Sequence, residues 1–438
     1  MNSEPCLLNP TKAWLEALIR RENFRLSFSA LEQSQDWHLL DGAVRHRSGS
    51  FFAVIGIHAV SREGVRIFQP LLDQREVGTL ALIAREDGAR RSILVQAKAE
   101  PGNVGLFQLA PSFQATASNA ACKHGGNAPL FIELFRDPHT GQLLSDSRQS
   151  EQGSRFYGKF NRNCTLLVAD CELHSDYHRW MDSRDLCRLL AVDHLLNTDI
   201  RSTLVCSDWH FLAGGLPFQG TGFAARLQRS YSAAEIECWQ PLAAAQAKLG
   251  NPAAWQVPPT ITALQQLPGW TLDEEGPCPE TGRPFRVRHI RVESASREVS
   301  RWDQPIITSA GAGRIFLPMA YRGEVAHFLF RLVAEPGFGL RQEFTPALTI
   351  EPGAVAEHNP LTRLIESGDI VASCRQSEEG GRFLLDENEY RIVDIGECIA
   401  IPADYHWLSL GQLKVILDEG GTFTNEARSA ASLLLRWI

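Results

Sequence analysis

The chain contains two copies of one sequence, and this internal repeat limits the folds that it can adopt. The sequence Ala-Glu-Pro-Gly occurs at residues 99–102 and again at residues 334–337, a separation of 235 residues. Farther along, Arg-Gln-Ser-Glu occurs at residues 148–151 and again at residues 375–378, a separation of 227 residues. Further matches keep these two separations, which coincidence does not explain. Solenoid repeats run about 20–50 residues, whereas each copy here is the size of a domain. The sequence therefore predicts two homologous domains.

The limits of the two domains follow from the repeat and from the residues that favour turns between the copies. We place the first domain at residues 1–225, a linker at residues 226–254 and the second domain at residues 255–438. Glycine and proline residues mark the join. Residues 232–250 have apolar side chains near helical spacing, so the linker is predicted to contain a helix.

Within each copy, segments typical of strands precede segments typical of helices. Residues 79–84 and 92–96 are apolar and flank Asp87-Gly88, a signal for a β-hairpin. Residues 185–196 and 425–438 have helical spacing, and Asn425 is a candidate cap. A mixed sheet with flanking helices predicts an α+β or α/β class.

Charge and hydropathy argue against binding to nucleic acid or membranes. The net charge of the 438 residues is -8, and no long run of lysine or arginine is present. No stretch approaches the roughly 18 apolar residues that cross a bilayer. A basic segment followed by an apolar one, as in a signal peptide, is not seen at the N-terminus. We therefore expect a cytoplasmic protein.

Motifs of several enzyme classes are missing from the sequence. The ten cysteines have no spacing typical of zinc ligands. There is no P-loop, no Gly-x-Gly-x-x-Gly after a first strand, no His-Glu-x-x-His and no Gly-x-Ser-x-Gly. We expect reduced thiols, no metal site and no nicotinamide site.

The two copies differ most at polar positions of the first copy. Three polar residues are replaced in the second copy, namely Gln96 by Arg331, Lys98 by Val333 and Asn103 by Phe338. Basic and amide residues at 159–163 become largely acidic at 386–390. Residues without counterparts are the better functional candidates. The shared Glu100 and Glu151 are explained at least as well as structural residues in turns or buried pairs.

Several other first-copy residues suit the binding of a polar, anionic ligand. Residues 108–119 are uncharged and rich in amides and hydroxyls, which suits hydrogen bonding to a sugar or a base. Lys98, Lys159 and Arg162 together could neutralise a diphosphate. His46 and His124 are candidate proton carriers, and His124 precedes two glycines that permit close approach of a ligand.

Taken as one string, these motifs resemble the NDP-hexose 2,3-dehydratase family. The resemblance rests on Gln-x-Lys-x-Glu-Pro-Gly-Asn at residues 96–103, on the amide-rich segment that follows, on His-Gly-Gly at 124–126 and on Lys-x-Asn-Arg-Asn at 159–163. It covers nearly the whole chain, including the duplication. It implies two tandem Nudix-like domains of the α+β class (an α/β/α sandwich) and a homodimer. It also implies a dTDP-4-keto-6-deoxyglucose substrate, a place in deoxysugar and antibiotic biosynthesis, and a downstream 3-ketoreductase.

We assign the site residues accordingly, with one catalytic pocket in the first copy and one pocket left over from the duplication in the second. The catalytic candidates are Lys98, Glu100, His124 and Glu151. The candidates for substrate binding are Arg45, His46, Gln96, Asn103, Gln108, Gln114, Ser118, Asn119, Lys159, Asn161 and Arg162.

The reaction that the resemblance implies is the elimination of the C2 hydroxyl, a lyase reaction that needs a base and an acid but no cofactor and no metal. The residues leave open which group is base and which is acid. One alternative is a non-catalytic protein that presents a sugar nucleotide to the ketoreductase. A metal-dependent hydrolase is the weaker alternative, because the acidic box Arg-Glu-x-x-Glu-Glu of true Nudix hydrolases is absent.

Overall fold

Each copy of the repeat is built on a mixed β-sheet, preceded by smaller strands and followed by helices. The computed structural model describes residues 4–116, 129–136, 140–169, 171–173, 175–233, 237–296, 299–357 and 359–438. The strands that open the first copy are β1 (Arg25–Phe28), β2 (Trp37–Leu40), β3 (Ala43–His46), β4 (Ala53–Val60) and β5 (Arg66–Asp73). Its central sheet contains β6 (Gly78–Asp87), β7 (Arg90–Ala99), β8 (Phe107–Ala110), β9 (Phe113–Ala115), β10 (Gln142–Ser150), β12 (Phe160–Leu167) and β13 (His178–Asp182), with β11 (Phe156–Tyr157) beside β5.

The second copy repeats this order. Its opening strands are β14 (Val257–Thr262), β15 (Trp270–Leu272), β16 (Pro277–Pro279), β17 (Phe285–Glu293) and β18 (Arg301–Ser309). Its central sheet contains β19 (Gly313–Arg322), β20 (Val325–Val333), β21 (Glu343–Pro346), β22 (Leu348–Ile350), β23 (Asp369–Ser377), β24 (Glu387–Glu397) and β25 (Tyr405–Ser409).

The α-helices of the described residues surround these sheets. They are α1 (Glu4–Arg21), α2 (Ile132–Arg136), α3 (Ser183–Arg188), α4 (Thr198–Cys206), α5 (Trp209–Ala213), α6 (Phe223–Ser232), α7 (Leu242–Gly250), α8 (Pro360–Glu366), α9 (Leu410–Glu419) and α10 (Asn425–Ser432). No helix in the part of the chain that the structure describes has the length and apolar character needed to span a bilayer.

The central sheets of the two copies have the same topology. The first runs β10-β12-β6-β7-β13, and the second runs β23-β24-β19-β20-β25. In each sheet the second and third strands are parallel, as β12 and β6 are in the first copy and β24 and β19 in the second. The structure therefore confirms a mixed α/β protein with a repeated sheet. The domain limits 1–225, 226–254 and 255–438 stay a prediction.

The two copies exchange strands. Strand β1 of the first copy pairs with β17 of the second, and β14 of the second copy pairs with β4 of the first. The indoles of two tryptophans also cross between the copies: Trp37 Nε1 donates to the carbonyl of Asp303 at 2.8 Å, and Trp270 Nε1 to that of Phe68 at 2.7 Å. A cut within the linker would thus leave each copy with an unpaired strand edge.

One apolar core runs through both copies. Leu82 and Val95 of the first sheet belong to the same buried cluster as Leu317 and Phe328 of the second. Helices α4 and α10 meet within it, where Thr198 Oγ1 donates to Asn425 Oδ1 at 2.9 Å. The packing of these two helices therefore joins the cores of the two copies.

Local structure agrees with the sequence for the hairpin and differs from it at several helices. The hairpin is formed by β6 and β7, and Gly88 in its turn has a φ of 57°. Residues 232–250 are not one helix, because Pro241 lies at the N-cap of α7. The helix predicted at 185–196 is α3, which ends at Arg188 and continues as a single 3-10 turn. The cap of the last α-helix is Thr424 rather than Asn425, and the sequence missed α1.

Candidate active site

The strands of the first-copy hairpin separate toward their open ends. Strands β6 and β7 pair directly only between residues 83–87 and 90–94. Beyond that point β6 pairs with β9, and β7 pairs with β8. Buried polar side chains collect at this end of the sheet, so the split in the hairpin is the candidate position of a site.

A buried ion pair lies at the end of β7. Lys98 Nζ is 3.0 Å from Glu100 Oε1, and the two side chains are only 10% and 4% exposed. The loop that follows is held by Asn103, whose Nδ2 donates to the carbonyls of Lys98 at 3.3 Å and Leu106 at 3.1 Å. Glu100 Oε2 is buried and accepts no hydrogen bond from the described residues. This oxygen is therefore available to a ligand.

A second set of polar side chains comes from the strands on the other side of the split. Asn161 Nδ2 donates to Glu151 Oε1 at 2.7 Å, and Asn425 Nδ2 of the second copy donates to Glu151 Oε2 at 2.9 Å. Lys159 Nζ donates to the carbonyl of Glu76 at 2.9 Å. Burial lowers the pKa of Lys159, against the opposing effect of neighbouring carboxylates. Both oxygens of Glu151 are thus engaged, which fits a positioning role.

Two acidic residues that the sequence analysis missed join these groups. Asp199 lies in the first turn of α4, and its Oδ2 is buried without a hydrogen-bond partner among the described residues. Burial raises the pKa of Asp199 well above its usual value, and Glu379 and Glu151 add to this effect. Burial likewise raises the pKa of Glu379 to about 7, although the charge of Arg382 opposes it. We call the whole set the first-copy cluster: Lys98, Glu100, Glu151, Lys159, Asn161, Asp199 and Glu379.

Glu379 belongs to the second copy, whose residues 379–382 cover the first-copy cluster. The N–H of Gly102 donates to the carbonyl of Gly380 at 2.8 Å. A Cβ atom added to Gly380 would overlap Asn103 Oδ1 and lie 2.9 Å from Glu100 Cβ. Side chains larger than hydrogen are therefore excluded where the second copy crosses the loop of Glu100.

We expect the substitution Gly380→Ala to lower the free energy of unfolding by about 1–3 kcal/mol, the usual effect of overpacking. Denaturant unfolding of the purified variant measures this. Gly250→Ala is the matched control, because an added Cβ there meets nothing within 4 Å. Equal stability of the two variants would show that the contact at Gly380 is not tight.

The structure groups some predicted site residues and places others elsewhere. Lys98, Glu100, Asn103, Glu151, Lys159 and Asn161 come together, as described above. Arg162 points to the opposite face of β12 from Asn161, since side chains alternate along a strand, and it pairs with Asp146 at 2.7 Å. Arg45 and His46 lie on β3 of the other sheet, where Arg45 is exposed and His46 packs against Trp37 with a centroid distance of 5.3 Å.

The remaining predicted residues have mixed positions. Gln108 Nε2 donates to Ser377 Oγ at 2.8 Å, a contact between the copies. Gln114 lies on β9 with a buried Oε1 that has no partner among the described residues. Gln96 is half-buried on β7. Three residues, Ser118, Asn119 and His124, lie outside the described residues.

The second copy has an equivalent set of side chains with a different charge. We call it the second-copy cluster: Glu335, Glu378, Asp386, Asn388 and Glu426, with Gln152 from the first copy. Gln152 Nε2 donates to Glu378 Oε2 at 2.5 Å. Burial raises the pKa of Glu378 to about 8 and that of Asp386 to about 6. No lysine belongs to this set, because Val333 and Asp386 replace Lys98 and Lys159. It is therefore poorly suited to an anionic ligand.

A cavity of about 340 Å³ lies away from both clusters. It is lined by Leu144, Ser145, Asp146, Ser147, Cys206, Asp208, Tyr231, Lys414 and Asp418. Its carboxylates are already engaged: Asp146 pairs with Arg162, Asp418 pairs with Lys414, and Asp208 caps α5. Size alone does not make this cavity the active site. Buried carboxylate oxygens without a hydrogen-bond partner among the described residues lie instead in the two clusters, at Glu100 and Asp199 in the first and at Glu335 and Glu426 in the second, and of the two clusters only the first contains lysines. Within the described ranges, no three His, Cys, Asp or Glu residues are arranged to hold a metal ion.

Comparison with known proteins agrees with the repeat. A family model described as NDP-hexose 2,3-dehydratase matches residues 8–207 and 251–434. The chain is 31% identical over 434 residues to the dTDP-4-dehydro-6-deoxy-alpha-D-glucopyranose 2,3-dehydratase of Streptomyces violaceoruber, with 95% of this chain and 94% of the relative covered. It is 30% identical to the proteins of the same name from Saccharopolyspora spinosa, with 97% and 90% covered, and from Amycolatopsis orientalis, with 92% and 84% covered.

Proposed function

The chain belongs to the NDP-hexose 2,3-dehydratase family, and from this premise we propose that it dehydrates dTDP-4-keto-6-deoxyglucose. The product is the 2,6-dideoxy-3,4-diketo sugar nucleotide. The observation that carries the proposal is the buried pair of Lys98 and Glu100, which offers a cation and a carboxylate oxygen without a hydrogen bond at one place.

The chemistry sets three requirements. The C4 ketone acidifies the hydrogen on C3, so a base must remove that proton. A donor or cation must stabilise the negative charge that develops on the C4 oxygen. An acid must protonate the hydroxyl that leaves C2, because hydroxide is a poor leaving group. The resulting enol tautomerises to the diketone, and no electrons enter or leave.

We assign the base to Glu100 and the cation to Lys98. Glu100 Oε2 has no hydrogen bond from the described residues, whereas both oxygens of Glu151 are occupied by amides. The ammonium of Lys98 lies 3.0 Å from Glu100 Oε1 and carries the donors that an enolate oxygen needs. We assign Glu151 and Asn161 to positioning and Lys159 to the binding of the diphosphate.

Further parts of the proposal rest on the family resemblance. We propose that each copy is Nudix-like, with domains at residues 1–225 and 255–438, and that the protein is a cytoplasmic homodimer. The product would pass to a 3-ketoreductase in deoxysugar and antibiotic biosynthesis. Light scattering of the purified protein would test the dimer.

The proposed activity is tested with the purified protein alone. We expect it to convert dTDP-4-keto-6-deoxyglucose to a species lighter by one water, which an aromatic 1,2-diamine traps because it condenses with neighbouring ketones. Binding of the substrate without turnover would contradict the proposal and favour the non-catalytic partner of a ketoreductase.

We expect turnover to be unchanged in the presence of EDTA. The sequence lacks the acidic box of Nudix hydrolases and the spacing of Cys/His metal ligands, and the proposed proton transfers use side chains. Activity that is lost on chelation and restored by one divalent ion would refute this expectation. Release of a nucleotide on addition of magnesium would instead indicate a hydrolase.

A further inference from the structure

We propose that the second copy supplies the proton donor of the first-copy site, and that this donor is the carboxyl group of Glu379, which protonates the departing C2 hydroxyl. The inference rests on the proposed dehydratase function. Residues of both copies would then form the active site.

The geometry that supports it is the crossing of two loops. The N–H of Gly102 donates to the carbonyl of Gly380 at 2.8 Å, and the N–H of Leu385 donates to the carbonyl of Gly102 at 3.0 Å. A Cβ added to Gly381 would lie 3.7 Å from Glu379 Oε1 and 3.8 Å from Glu100 Oε1. The two carboxyl groups, one from each copy, therefore border one small region, as an acid and a base acting on neighbouring carbons must.

Charged groups from every neighbouring element surround Glu379. The carboxyl groups are Glu100 after β7, Glu151 after β10 and Asp199 on α4, and the cations are Lys159 before β12 and Arg382 on the same loop. Four carboxyl groups this close cannot all ionise at low cost. Lys98 Nζ lies 3.0 Å from Glu100 Oε1, whereas burial raises the pKa of Glu379 to about 7. Neighbouring carboxyl groups with opposite protonation states serve as base and acid.

The second copy provides a natural comparison. Gln152 occupies the position equivalent to Glu379 and contacts Glu378 of the second-copy cluster. An amide has nearly the shape of a carboxyl group but cannot act as an acid. The fold accepts glutamine at this position, so the difference between the copies is one of chemistry.

The proton and electron balance is closed without a co-reactant. The C3 proton moves to Glu100, and its bonding electrons move to the C4 oxygen to form an enolate. These electrons then return to form the C2=C3 double bond as the C2–O bond breaks. The proton of Glu379 joins the leaving oxygen to give water. In the tautomerisation, Glu100 gives its proton to C2 and the C3 hydroxyl gives its proton to Glu379, which restores both carboxyl groups.

The variant Glu379→Gln tests the inference. We expect its dehydration rate to fall by roughly a hundredfold or more, a usual contribution of a general acid, while substrate affinity is retained. Exchange of the C3 hydrogen in D2O should persist, because Glu100 and Lys98 are intact. In the wild type the rate should fall as pH rises through about 7, where Glu379 loses its proton, and this decline should be missing in the variant.

Glu378→Gln is the matched control, since it alters the adjacent residue of the same loop, which faces the second-copy cluster. We expect it to dehydrate at the wild-type rate. Full activity of Glu379→Gln would overturn the inference, and so would the loss of both C3 exchange and dehydration, which would make Glu379 the base. A wild type that exchanges and dehydrates nothing would instead refute the proposed function itself.

Discussion

Replacing Lys98 with methionine should lower the kcat of dehydration by roughly 100- to 1,000-fold, the usual effect of removing a donor to a developing oxyanion. Methionine keeps the length of the side chain but lacks the ammonium that lies 3.0 Å from Glu100. The charge on the C4 oxygen would then lose its cation, and the buried Glu100 would lose its charged partner. Steady-state kinetics with the 4-keto sugar nucleotide measures the loss.

The control for Lys98 is its equivalent in the second copy, Val333. Val333→Ala should retain nearly full activity. Thermal unfolding and substrate affinity of the Lys98 variant separate a catalytic effect from a folding defect. Similar losses at both positions would contradict a single site in the first copy.

Replacing Glu100 with glutamine should lower kcat by roughly 100- to 10,000-fold, because the amide cannot accept the C3 proton. The same variant should lose exchange of the C3 hydrogen in D2O. This pattern differs from that expected for Glu379→Gln, which loses dehydration but keeps exchange. Deuterium incorporation followed by NMR or mass spectrometry distinguishes the two.

Glu335 is the control for Glu100, since it follows the same Ala-Glu-Pro-Gly pattern in the second copy. Glu335→Gln should dehydrate at the wild-type rate because Glu335 belongs to the second-copy cluster. If Glu100→Gln keeps C3 exchange, Glu100 is not the base, and Asp199, with its buried and unpartnered Oδ2, becomes the next candidate.

The duplication has different consequences for the two clusters. The strand exchange of β1 and β14 holds the copies together, and each copy sends a loop across the other's cluster. In the first-copy cluster this loop brings Glu379, and in the second-copy cluster it brings Gln152. The two clusters also differ in charge, because Val333 and Asp386 of the second copy replace Lys98 and Lys159 of the first. We infer that the second copy serves the reaction mainly through its contribution to the first.

The sequence by itself determined the features that depend on local pattern or on comparison of the copies. Constant separations revealed the repeat, and two apolar runs around Asp87-Gly88 predicted the hairpin of β6 and β7, which the structure confirms. Lys98 and Lys159 were selected because the second copy lacks them, and both lie in the first-copy cluster. Helix ends were predicted less well, because apolar periodicity does not show where a helix begins. Pro241 lies at the N-cap of α7, and Thr424 lies at the N-cap of α10.

Only the tertiary structure decided which residues meet. Glu379 is remote in sequence from Glu100, and no local pattern of the sequence selected it as a site residue. Arg162 and Asn161 point to opposite faces of β12, and only the tertiary structure shows which of these two faces the helices cover. The two amides that engage Glu151 come from Asn161 and Asn425, one from each copy. Periodicity and spacing describe neighbours along the chain, whereas these contacts arise from the packing of one copy against the other.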